Sequence, residues 1–362
     1  MELYLDANAT EPLRPQAREA VLAALDLAGN PSSVHAAGRA ARRVLEGARE
    51  SLARRFGGSP GELVFTAGGT EANALAVRGL GAGRRILVGA TEHPSVLAAA
   101  PEAESLPVHE DGTLDLAALA RALDGPPALV CLMVANNETG VLHPVEEAAA
   151  LCREAGALLH LDAVQAAGRV KLALGVAASL ALSGHKLGGP KGAGALLLRP
   201  GLAPAPLVAG GGQERGRRGG TEPLPAIAGM AAAAEAATPE AASRLAPIRD
   251  AIEAACLAEG AIVAGQGAPR LPNTTSLVLP GVPAETQVIA LDLAGIRVSA
   301  GAACSSGKVG KSHVLAAMGL GDLAGCAIRV SLPWNAPDDT VGRFVAAWSA
   351  MRARLARHAA LA

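Results

Sequence analysis

The stretch SLALSGHKLGGPKGAGALLLR, Ser179–Arg199, contains two short apolar runs joined by a turn rich in glycine. Neither run alternates apolar with polar residues along its length, which is typical of strands buried on both faces of a mainly parallel sheet. The turn places Ser183, His185 and Lys186 directly after the first run. A lysine at the end of a strand is usually a solvated surface charge, so its meaning depends on which residues end the other strands.

Runs of the same kind precede this stretch, and helical patterns such as TEANALAVRGL (70–80) and HPVEEAAALCREAG (143–156) separate several of them. The further apolar runs are ELVFTAGG (62–69), RRILVGA (84–90), ALVCLMVA (128–135) and ALLHLDA (157–163). Strand alternating with helix predicts an open α/β layer around a mainly parallel sheet. In such a layer the functional residues collect where the strands end, at their carboxyl edge.

The pattern changes after a long Ala-rich helical stretch over residues 224–260. Shorter apolar runs then mix with helical segments, namely NTTSLVLPG, PAETQVIALDLAG, IRVSAG, KSHVLAAMG, CAIRVSLP and a final helix from Asp338. A chain of 362 residues also exceeds the size at which one hydrophobic core usually stops growing. We therefore predict a large domain over residues 14–238, and a smaller α+β domain formed by residues 1–13 and 239–362.

Composition narrows the class of protein. Lys and Arg total 32 against 33 Asp and Glu, without a long tract of one sign, which argues against a nucleic-acid binder. The amino terminus, MELYLDANAT, lacks the basic and apolar regions of a signal peptide, and no run approaches the length of a membrane span. The five cysteines are scattered without a CxxC pair, which disfavours a disulfide framework or a zinc site. The sequence thus predicts a cytoplasmic protein without a bound metal.

Several polar residues come directly after the predicted strands. The turn TAGGTEAN (66–73) leads into a helix that Thr70 can open, and backbone N–H groups at such a turn form an anion site. His93 comes after the next run, NNETG (136–140) after another, and Asp162 ends ALLHLDA. A helix cap or a structural histidine would explain some of these residues singly. A buried carboxylate, however, is costly unless a cation or strong donors meet it, so Asp162 needs a partner.

Taken together, these residues fit one ligand. It should carry a phosphate for the glycine turn, a cationic group for Asp162, a flat face for His93 and a carbonyl that Lys186 can attack. Pyridoxal 5′-phosphate has all four features, because its pyridinium nitrogen takes an Asp partner and its aldehyde forms a Schiff base with lysine. The sequence therefore predicts an enzyme that uses pyridoxal phosphate.

Nine motifs in register now resemble one family. They are YLDANAT, GNPSSVHAAGR, TAGGTEAN, TEHPSV, NNETG, HLDAVQ, SGHKLGGPKGAG, GGGQERGRRGGTEP and AGAACSSG. The chain resembles a cysteine desulfurase of the class V, fold-type I aminotransferase superfamily, and within it the NifS/IscS-like branch associated with iron–sulfur cluster assembly. This resemblance implies a mainly parallel seven-stranded sheet between helices, with a smaller α+β domain beside it.

The resemblance also implies a role for each matching residue. Lys186 would hold the cofactor covalently, Asp162 would pair with the pyridine nitrogen, Gln165 would meet the phenolic oxygen, and His93 would stack on the ring and carry a proton for the substrate thiol. The family implies a homodimer as well. The implied cofactor-binding set is Gly69, Thr70, His93, Asn137, Asp162, Gln165, Ser183, His185 and Lys186, with Thr221 reaching in from the second subunit.

Two further residues concern the substrate. Arg329 matches the arginine that grips the substrate α-carboxylate, a role that suits a planar bidentate donor, and Asn137 would assist it. Cys304 matches the nucleophile, and its neighbours Gly, Ala and Ser are too small to build a core. Lys308 and Lys311 favour a thiolate if the segment folds near them. Cys326, in an apolar run, has the simpler explanation of a buried small side chain.

The implied reaction converts L-cysteine to L-alanine and leaves the sulfur on Cys304 as a persulfide, which a sulfur-acceptor protein such as an iron–sulfur scaffold would take from a mobile loop. A selenocysteine lyase or another class V aminotransferase would keep Lys186, Asp162 and His93 without depending on Cys304. A silent scaffold would lack the cofactor colour. Lys311, the basic loop GKVGK and the run LPWN depart from the family pattern, which leaves the acceptor open.

Overall fold

The computed structural model describes residues 2–301 and 310–359, with side chains up to residue 355 in the final helix, so Cys304 lies outside the described residues. The helices are α1 (Pro15–Leu25), α2 (Ala36–Arg55), α3 (Gly69–Leu80), α4 (Pro94–Leu97), α5 (Leu116–Ala122), α6 (Val145–Glu154), α7 (Leu224–Ala236), α8 (Pro239–Ser243), α9 (Ala246–Ala258), α10 (Ala284–Leu293), α11 (His313–Ala317) and α12 (Thr340–Ala359). The strands are β1 (Leu3–Tyr4), β2 (Leu63–Thr66), β3 (Arg85–Gly89), β4 (Glu104–Leu106), β5 (Ala128–Met133), β6 (Leu158–Asp162), β7 (Ser179–Ser183), β8 (Gly194–Leu198), β9 (Ile262–Val263), β10 (Thr274–Val278), β11 (Ile296–Arg297), β12 (Ser299–Ala300) and β13 (Ala327–Ser331).

The large sheet has seven strands in the order β2-β8-β7-β6-β5-β3-β4. The run from β7 to β4 is parallel, whereas β8 is antiparallel to both of its neighbours. Successive residues of β8 face opposite sides of the sheet: Leu197 packs in the core that contains α2 and α7, and Leu196 packs in the core that contains α3. Each face is therefore covered by helices, which is why the strands are continuous apolar runs in the sequence. The predicted fold class and the mainly parallel seven-stranded sheet are confirmed.

The carboxyl edge of this sheet gathers the polar residues singled out above. Asp162 is the last residue of β6 and Ser183 is the last residue of β7. β3 and β5 end shortly before the loops that carry His93 and Asn137. Because parallel strands end on one side of a sheet, these four side chains are brought to a common crevice.

A second core surrounds the smaller sheet, whose antiparallel strands have the order β12-β13-β10-β9. Its largest buried side chains include Phe344 and Trp348 of α12, whose ring centroids are 6.0 Å apart. Leu3 and Leu5 enter the same cluster, and β1 pairs in parallel with β11. The first residues of the chain thus pack with its last third, far away in sequence.

Three details differ from the sequence prediction. The stretch 224–260 is three helices rather than one, because Pro239 and Pro247 stand at the starts of α8 and α9 and a proline lacks the N–H that would continue a helix. The run IRVSAG divides into β11 and β12, which belong to different sheets. The edge strand β4 has only one buried residue, so its apolar pattern is too short to detect.

The described part of the chain offers neither a membrane span nor a metal cluster. None of its helices combines the length and apolar character needed to cross a bilayer. Within residues 2–301 and 310–359, no group of three or more His, Cys, Asp or Glu side chains is placed to hold a metal ion.

The segment between β8 and α7 contains two non-glycine residues with left-handed backbone, Glu214 at φ 48° and Arg215 at φ 58°. Such a conformation costs roughly 1–2 kcal/mol per residue. A buried ion pair holds the segment in place, because Arg49 donates to both carboxylate oxygens of Glu214 at 2.7 Å. The backbone N–H of Phe65 donates to the same carboxylate at 2.9 Å. Through Glu214 the segment is therefore hydrogen-bonded to both α2 and β2.

Replacing Glu214 by glutamine should lower the free energy of unfolding by about 3 kcal/mol, because the buried Arg49 then loses its main charged partner. Urea unfolding at one fixed protein concentration, followed by circular dichroism, measures the loss. Arg54→Gln serves as the control, since its pair with Glu235 spans 3.7 Å between exposed side chains and should contribute less than about 1 kcal/mol. Equal losses in the two variants would contradict the prediction.

Candidate active site

A cavity of about 350 Å³ lies at the carboxyl edge of the large sheet. It brings together these predicted site residues: Gly69, Thr70, His93, Asn137, Asp162, Gln165, Ser183, His185, Lys186 and Arg329. Thr221 does not line it and is exposed. Asn8, from the amino-terminal segment, and Gly301, from the smaller sheet's side, complete the wall. The cavity thus lies where both ends of the chain meet the large sheet.

Lys186 ends a short helical turn that comes after β7, and its amine points into the cavity wall. Its Nζ donates to the carbonyl oxygens of Asn8 at 2.5 Å and Ala9 at 2.9 Å. Burial, together with the nearby positive charges of Arg329 and Arg169, lowers the pKa of Lys186 from 10.5 to about 8, and Asp6 and Asp162 oppose this shift. About a tenth of this amine is therefore neutral, and nucleophilic, at pH 7, far more than for an ordinary lysine.

We expect the apoprotein to capture pyridoxal phosphate faster as the pH rises through about 8, because only the neutral Lys186 amine attacks an aldehyde. Stopped-flow absorbance of cofactor capture, recorded from roughly two pH units below that pKa to roughly two units above it, measures the profile. Between pH 8 and pH 10.5 the unfolded chain binds more protons at this site, so the stability of the apoprotein should rise with pH in that window. A capture rate that still rises steeply at the upper end of the recorded pH range, as the ordinary lysine pKa of 10.5 would require, would contradict the prediction.

Asp162 meets the strong donors that its burial requires. Asn73 of α3 donates from Nδ2 to Oδ2 at 2.7 Å, and the backbone N–H of Val164 donates to Oδ1 at 2.9 Å. The neighbouring Glu92 is fully buried, and burial together with the Asp162 charge raises its pKa well above 4.5. Asp162 is thus the hydrogen-bonded carboxylate at this end of the cavity, while burial disfavours the charged form of Glu92.

His93 precedes the short helix α4, and its Nδ1 accepts from the backbone N–H of Ser95 at 3.1 Å. Burial lowers the pKa of His93; Asp162 opposes this shift, and Lys186 and His313 add to it. The ring is therefore neutral at pH 7. A flat neutral ring on the cavity wall suits contact with an aromatic ligand.

The start of α3 closes another side of the cavity. A Cβ atom added at Gly69 would lie 2.7 Å from Cγ2 of Val164, and one added at Gly194 would lie 2.5 Å from the carbonyl carbon of Gly68. Only glycines allow the backbone at the start of α3 to pack this closely against Val164 and β8. The first backbone N–H groups of this twelve-residue helix are thereby placed at the cavity wall. The helix begins at Gly69, so Thr70 is its second residue and does not open it, a correction to the sequence prediction.

Two further side chains stand beside this helix start. Ser183 is buried, and burial with the nearby Lys186 and Lys191 lowers the pKa of His185 to about 4, so its ring is neutral. Nδ1 of His185 lies 3.2 Å from Oγ1 of Thr10. Hydroxyl, imidazole and helix N–H groups together form a neutral donor set that suits a phosphate dianion.

Arg329 on β13 reaches the opposite side of the cavity from the smaller sheet. It donates to Oδ1 of Asp6 at 2.7 Å and to the carbonyl oxygen of Asn137 at 3.2 Å. Its Nε is buried without a partner in the described part of the chain. Among the described residues, the Nε–H group of Arg329 is therefore an unused hydrogen-bond donor, and Asp6 neutralises part of the guanidinium charge.

Asn8 is a site residue that the sequence reasoning missed. Its carbonyl oxygen accepts from Lys186 and from Nε2 of Gln165, and its side chain donates to the carbonyl oxygen of Asn137 at 3.0 Å. The motif YLDANAT contains it, but nothing in that motif shows that it lies across from the middle of the chain. Asn73 was missed for the same reason.

These groups fit pyridoxal phosphate. Asp162 supplies a charged acceptor for a ring N–H, Lys186 supplies an amine of lowered pKa, and the start of α3 with Ser183 and His185 supplies phosphate donors. The volume of about 350 Å³ lies within the range of small-molecule sites.

Comparison with known proteins agrees with this chemistry. The family model described as Aminotransferase class-V matches residues 3–344. A cysteine desulfurase of Cereibacter sphaeroides is 45% identical over 334 residues, 87% of this chain and 86% of that protein. An IscS-like cysteine desulfurase of Mycobacterium tuberculosis is 39% identical over 99% of this chain and 98% of its own. The X-ray structure of a NifS-like protein from Rickettsia africae superposes with a TM-score of 0.91 at 30% identity, covering 97% of this chain and 99% of that one.

The matches extend over nearly the whole chain and over most of each relative, so they concern the complete fold and not one shared motif. They confirm the predicted family, the fold type and the dependence on pyridoxal phosphate. The chain therefore belongs to the class-V aminotransferases and, within them, to the NifS/IscS-like cysteine desulfurases.

Proposed function

We propose that this chain removes the sulfur of L-cysteine, releases L-alanine and carries the sulfur as a persulfide on Cys304. The observation that carries the proposal is the convergence of Lys186, Asp162 and Arg329 on one cavity, with an amine of lowered pKa between a carboxylate and a guanidinium. This arrangement can hold an amino acid by its carboxylate while a base stands near its α-carbon.

The cofactor would be held by Lys186, by Asp162 at its ring nitrogen, by His93 on its ring face and by Gln165 at its phenolic oxygen. Gly69, Thr70, Ser183 and His185 would receive its phosphate. When bound, pyridoxal phosphate supplies an electron sink for charge that develops on the substrate's α-carbon. Gln165 is already oriented for this role, because Arg169 donates to its Oε1 at 2.5 Å and its Nε2 donates to Asn8.

The protein's own groups then divide the work. Arg329, with Asn137 beside it, binds the substrate carboxylate and turns the α-hydrogen towards Lys186, whose amine takes that proton and later returns one to the carbon skeleton. His93 carries the proton of the substrate thiol. The thiolate of Cys304 attacks the substrate sulfur, so that a sulfur–sulfur bond forms as the carbon–sulfur bond breaks and the carbon keeps the electron pair. Protonation of that carbon yields alanine.

We also propose that the enzyme is a homodimer in which Thr221 of one subunit contacts the cofactor phosphate of the other. Two features support this assignment: Thr221 is absent from the cavity of its own subunit, and the segment 210–223 is held in a strained conformation by the Arg49–Glu214 pair. Thr221 itself is exposed, so its side chain is available to a second subunit.

The domain division, the cellular compartment and the sulfur acceptor belong to the same proposal. The boundaries 14–238 for one domain, and 1–13 with 239–362 for the other, are supported by the core that Leu3 and Leu5 share with residues after 244. We assign the protein to the cytoplasm, and its sulfur to an acceptor protein such as an iron–sulfur scaffold.

Product analysis tests the proposal. The purified protein with pyridoxal phosphate and a mild thiol should form alanine and releasable sulfur from L-cysteine in equal amounts. Selenocysteine as the only productive substrate would favour a lyase, and absence of the cofactor's yellow absorbance would favour a scaffold. Either outcome would overturn the assignment.

A further inference from the structure

A hydrogen-bond network runs along one wall of the cavity and joins Asp162 to His93. Asn73 of α3 is at its centre, because its Nδ2 donates to Oδ2 of Asp162 at 2.7 Å and to Oγ of Ser95 at 2.9 Å. On the other side, Oδ1 of Asn73 lies 3.1 Å from Nε2 of His160. Nδ1 of His160 lies 2.9 Å from Oγ of Ser179. Asn73, His160 and Ser179 are all at most 1% exposed.

The chemistry of these groups fixes the direction of each bond. The Asp162 carboxylate only accepts, so the NH₂ group of Asn73 must face it and Oδ1 must face His160. Because Oδ1 only accepts, the proton of His160 must be on Nε2. Nδ1 of His160 then accepts from the Ser179 hydroxyl. Burial lowers the pKa of His160 to about 3, so the ring stays neutral and the direction does not reverse at ordinary pH.

The second hydrogen bond that Asn73 donates, to Ser95, also fixes the direction of the bond between Ser95 and His93. The Ser95 hydroxyl accepts from Asn73, so its own proton is free to donate to Nδ1 of His93, which lies 2.9 Å away. The backbone N–H of Ser95 donates to the same nitrogen at 3.1 Å. A neutral His93 therefore carries its proton on Nε2. A proton on Nδ1 would be disfavoured, because it would point at the two hydrogens that Ser95 already donates to that nitrogen.

We propose that Asn73 is a positioning residue that orders both cofactor-facing groups at once, holding Asp162 as an acceptor and presenting His93 as the tautomer with its proton on Nε2. This inference rests on the proposed function, in which both groups face the cofactor. His93 then enters the reaction with its proton on Nε2, and its Nδ1 is unavailable as a base. It can carry the proton of the substrate thiol only through Nε2, by giving up the proton held there and then accepting one at the same nitrogen. The titratable groups that act on His93 are Asp162, Lys186 and His313, contributed by β6, the turn after β7 and α11.

Two variants separate the two halves of the network. Asn73→Ala removes the donor to Asp162 and should raise the cofactor dissociation constant by about tenfold or more, as expected for the loss of a charge-assisted hydrogen bond. Ser95→Ala leaves that bond in place and should keep cofactor affinity at the parental value. Both variants weaken the donors facing Nδ1 of His93 and should raise its pKa. Exposed Asn335→Ala is the matched asparagine control and should change neither quantity.

Nitrogen-15 NMR of histidine-labelled holoenzyme measures the tautomer and the pKa of His93, and the variant His93→Gln identifies its signals. Fluorescence titration of each apoprotein with pyridoxal phosphate measures cofactor affinity. The parent should show His93 protonated on Nε2 alone. A proton on Nδ1 in the parent would overturn the proposal even if Asn73→Ala fails to fold, and so would a Ser95→Ala variant that loses affinity as Asn73→Ala does. None of these readouts requires turnover, so a failure of the proposed desulfurase reaction is recognised separately by the product analysis.

Discussion

Replacing Lys186 by alanine is expected to lower the rate of alanine formation from L-cysteine by about 10³-fold or more while the protein remains folded. The loss combines the covalent hold on the cofactor with the proton transfer at the α-carbon. The fold should survive, because among the described residues Lys186 donates to the carbonyl oxygens of Asn8 and Ala9 alone, and the substitution leaves Asp162 with its donors Asn73 and Val164. Alanine formation is followed by amino-acid analysis, and cofactor attachment by absorbance.

Lys191 supplies the matched control for this experiment. It lies in the same glycine-rich turn and is exposed, so Lys191→Ala should keep alanine formation within about twofold of the parent, as expected for a surface substitution. Addition of a small primary amine should restore part of the activity of Lys186→Ala, because the missing group is a base. An unchanged rate in Lys186→Ala would remove Lys186 from the reaction.

The second large effect is expected for Cys304→Ala, which should abolish persulfide formation and lower alanine formation by about 10³-fold while the yellow absorbance of the cofactor stays. The thiolate of Cys304 is the proposed sulfur acceptor, so its removal leaves the substrate sulfur without an attacking group. Labelling with a persulfide-selective alkylating reagent, followed by mass spectrometry of the peptide, locates the sulfur. Alanine release at the parental rate in Cys304→Ala would contradict the thiol mechanism and favour a lyase or an aminotransferase.

The other cysteines sharpen this test. Burial raises the pKa of Cys152 to about 11 and of Cys256 to about 12, and raises that of Cys131 well above 9.0, so these thiols stay protonated at neutral pH. Cys326 is the half-buried thiol among the described cysteines and therefore the proper control. Cys326→Ala should retain both persulfide and alanine formation.

Much of the site was accessible from the sequence because its residues come at the ends of apolar runs. Asp162, Ser183 and Lys186 stand directly at or after strand ends, and an apolar run marks its own end clearly. The family motifs then supplied the roles, which remain proposals until the variants are measured. Thr70 was placed one residue wrongly as the start of α3, because two glycines before it carry no pattern that fixes where a helix begins.

The sequence by itself determined the α/β layering, the cofactor chemistry and the family, since these depend on local apolar periodicity and on contiguous motifs. Only the tertiary structure decided that Asn8 faces Lys186, that Asn73 stands between Asp162 and His93, and that Arg49 clamps Glu214 across 165 positions. The physical reason is that hydrogen-bond partners are chosen by distance and donor direction in the folded chain. The local sequence pattern contains no information on these distances and directions for residues that are far apart in the chain and meet only in the folded protein.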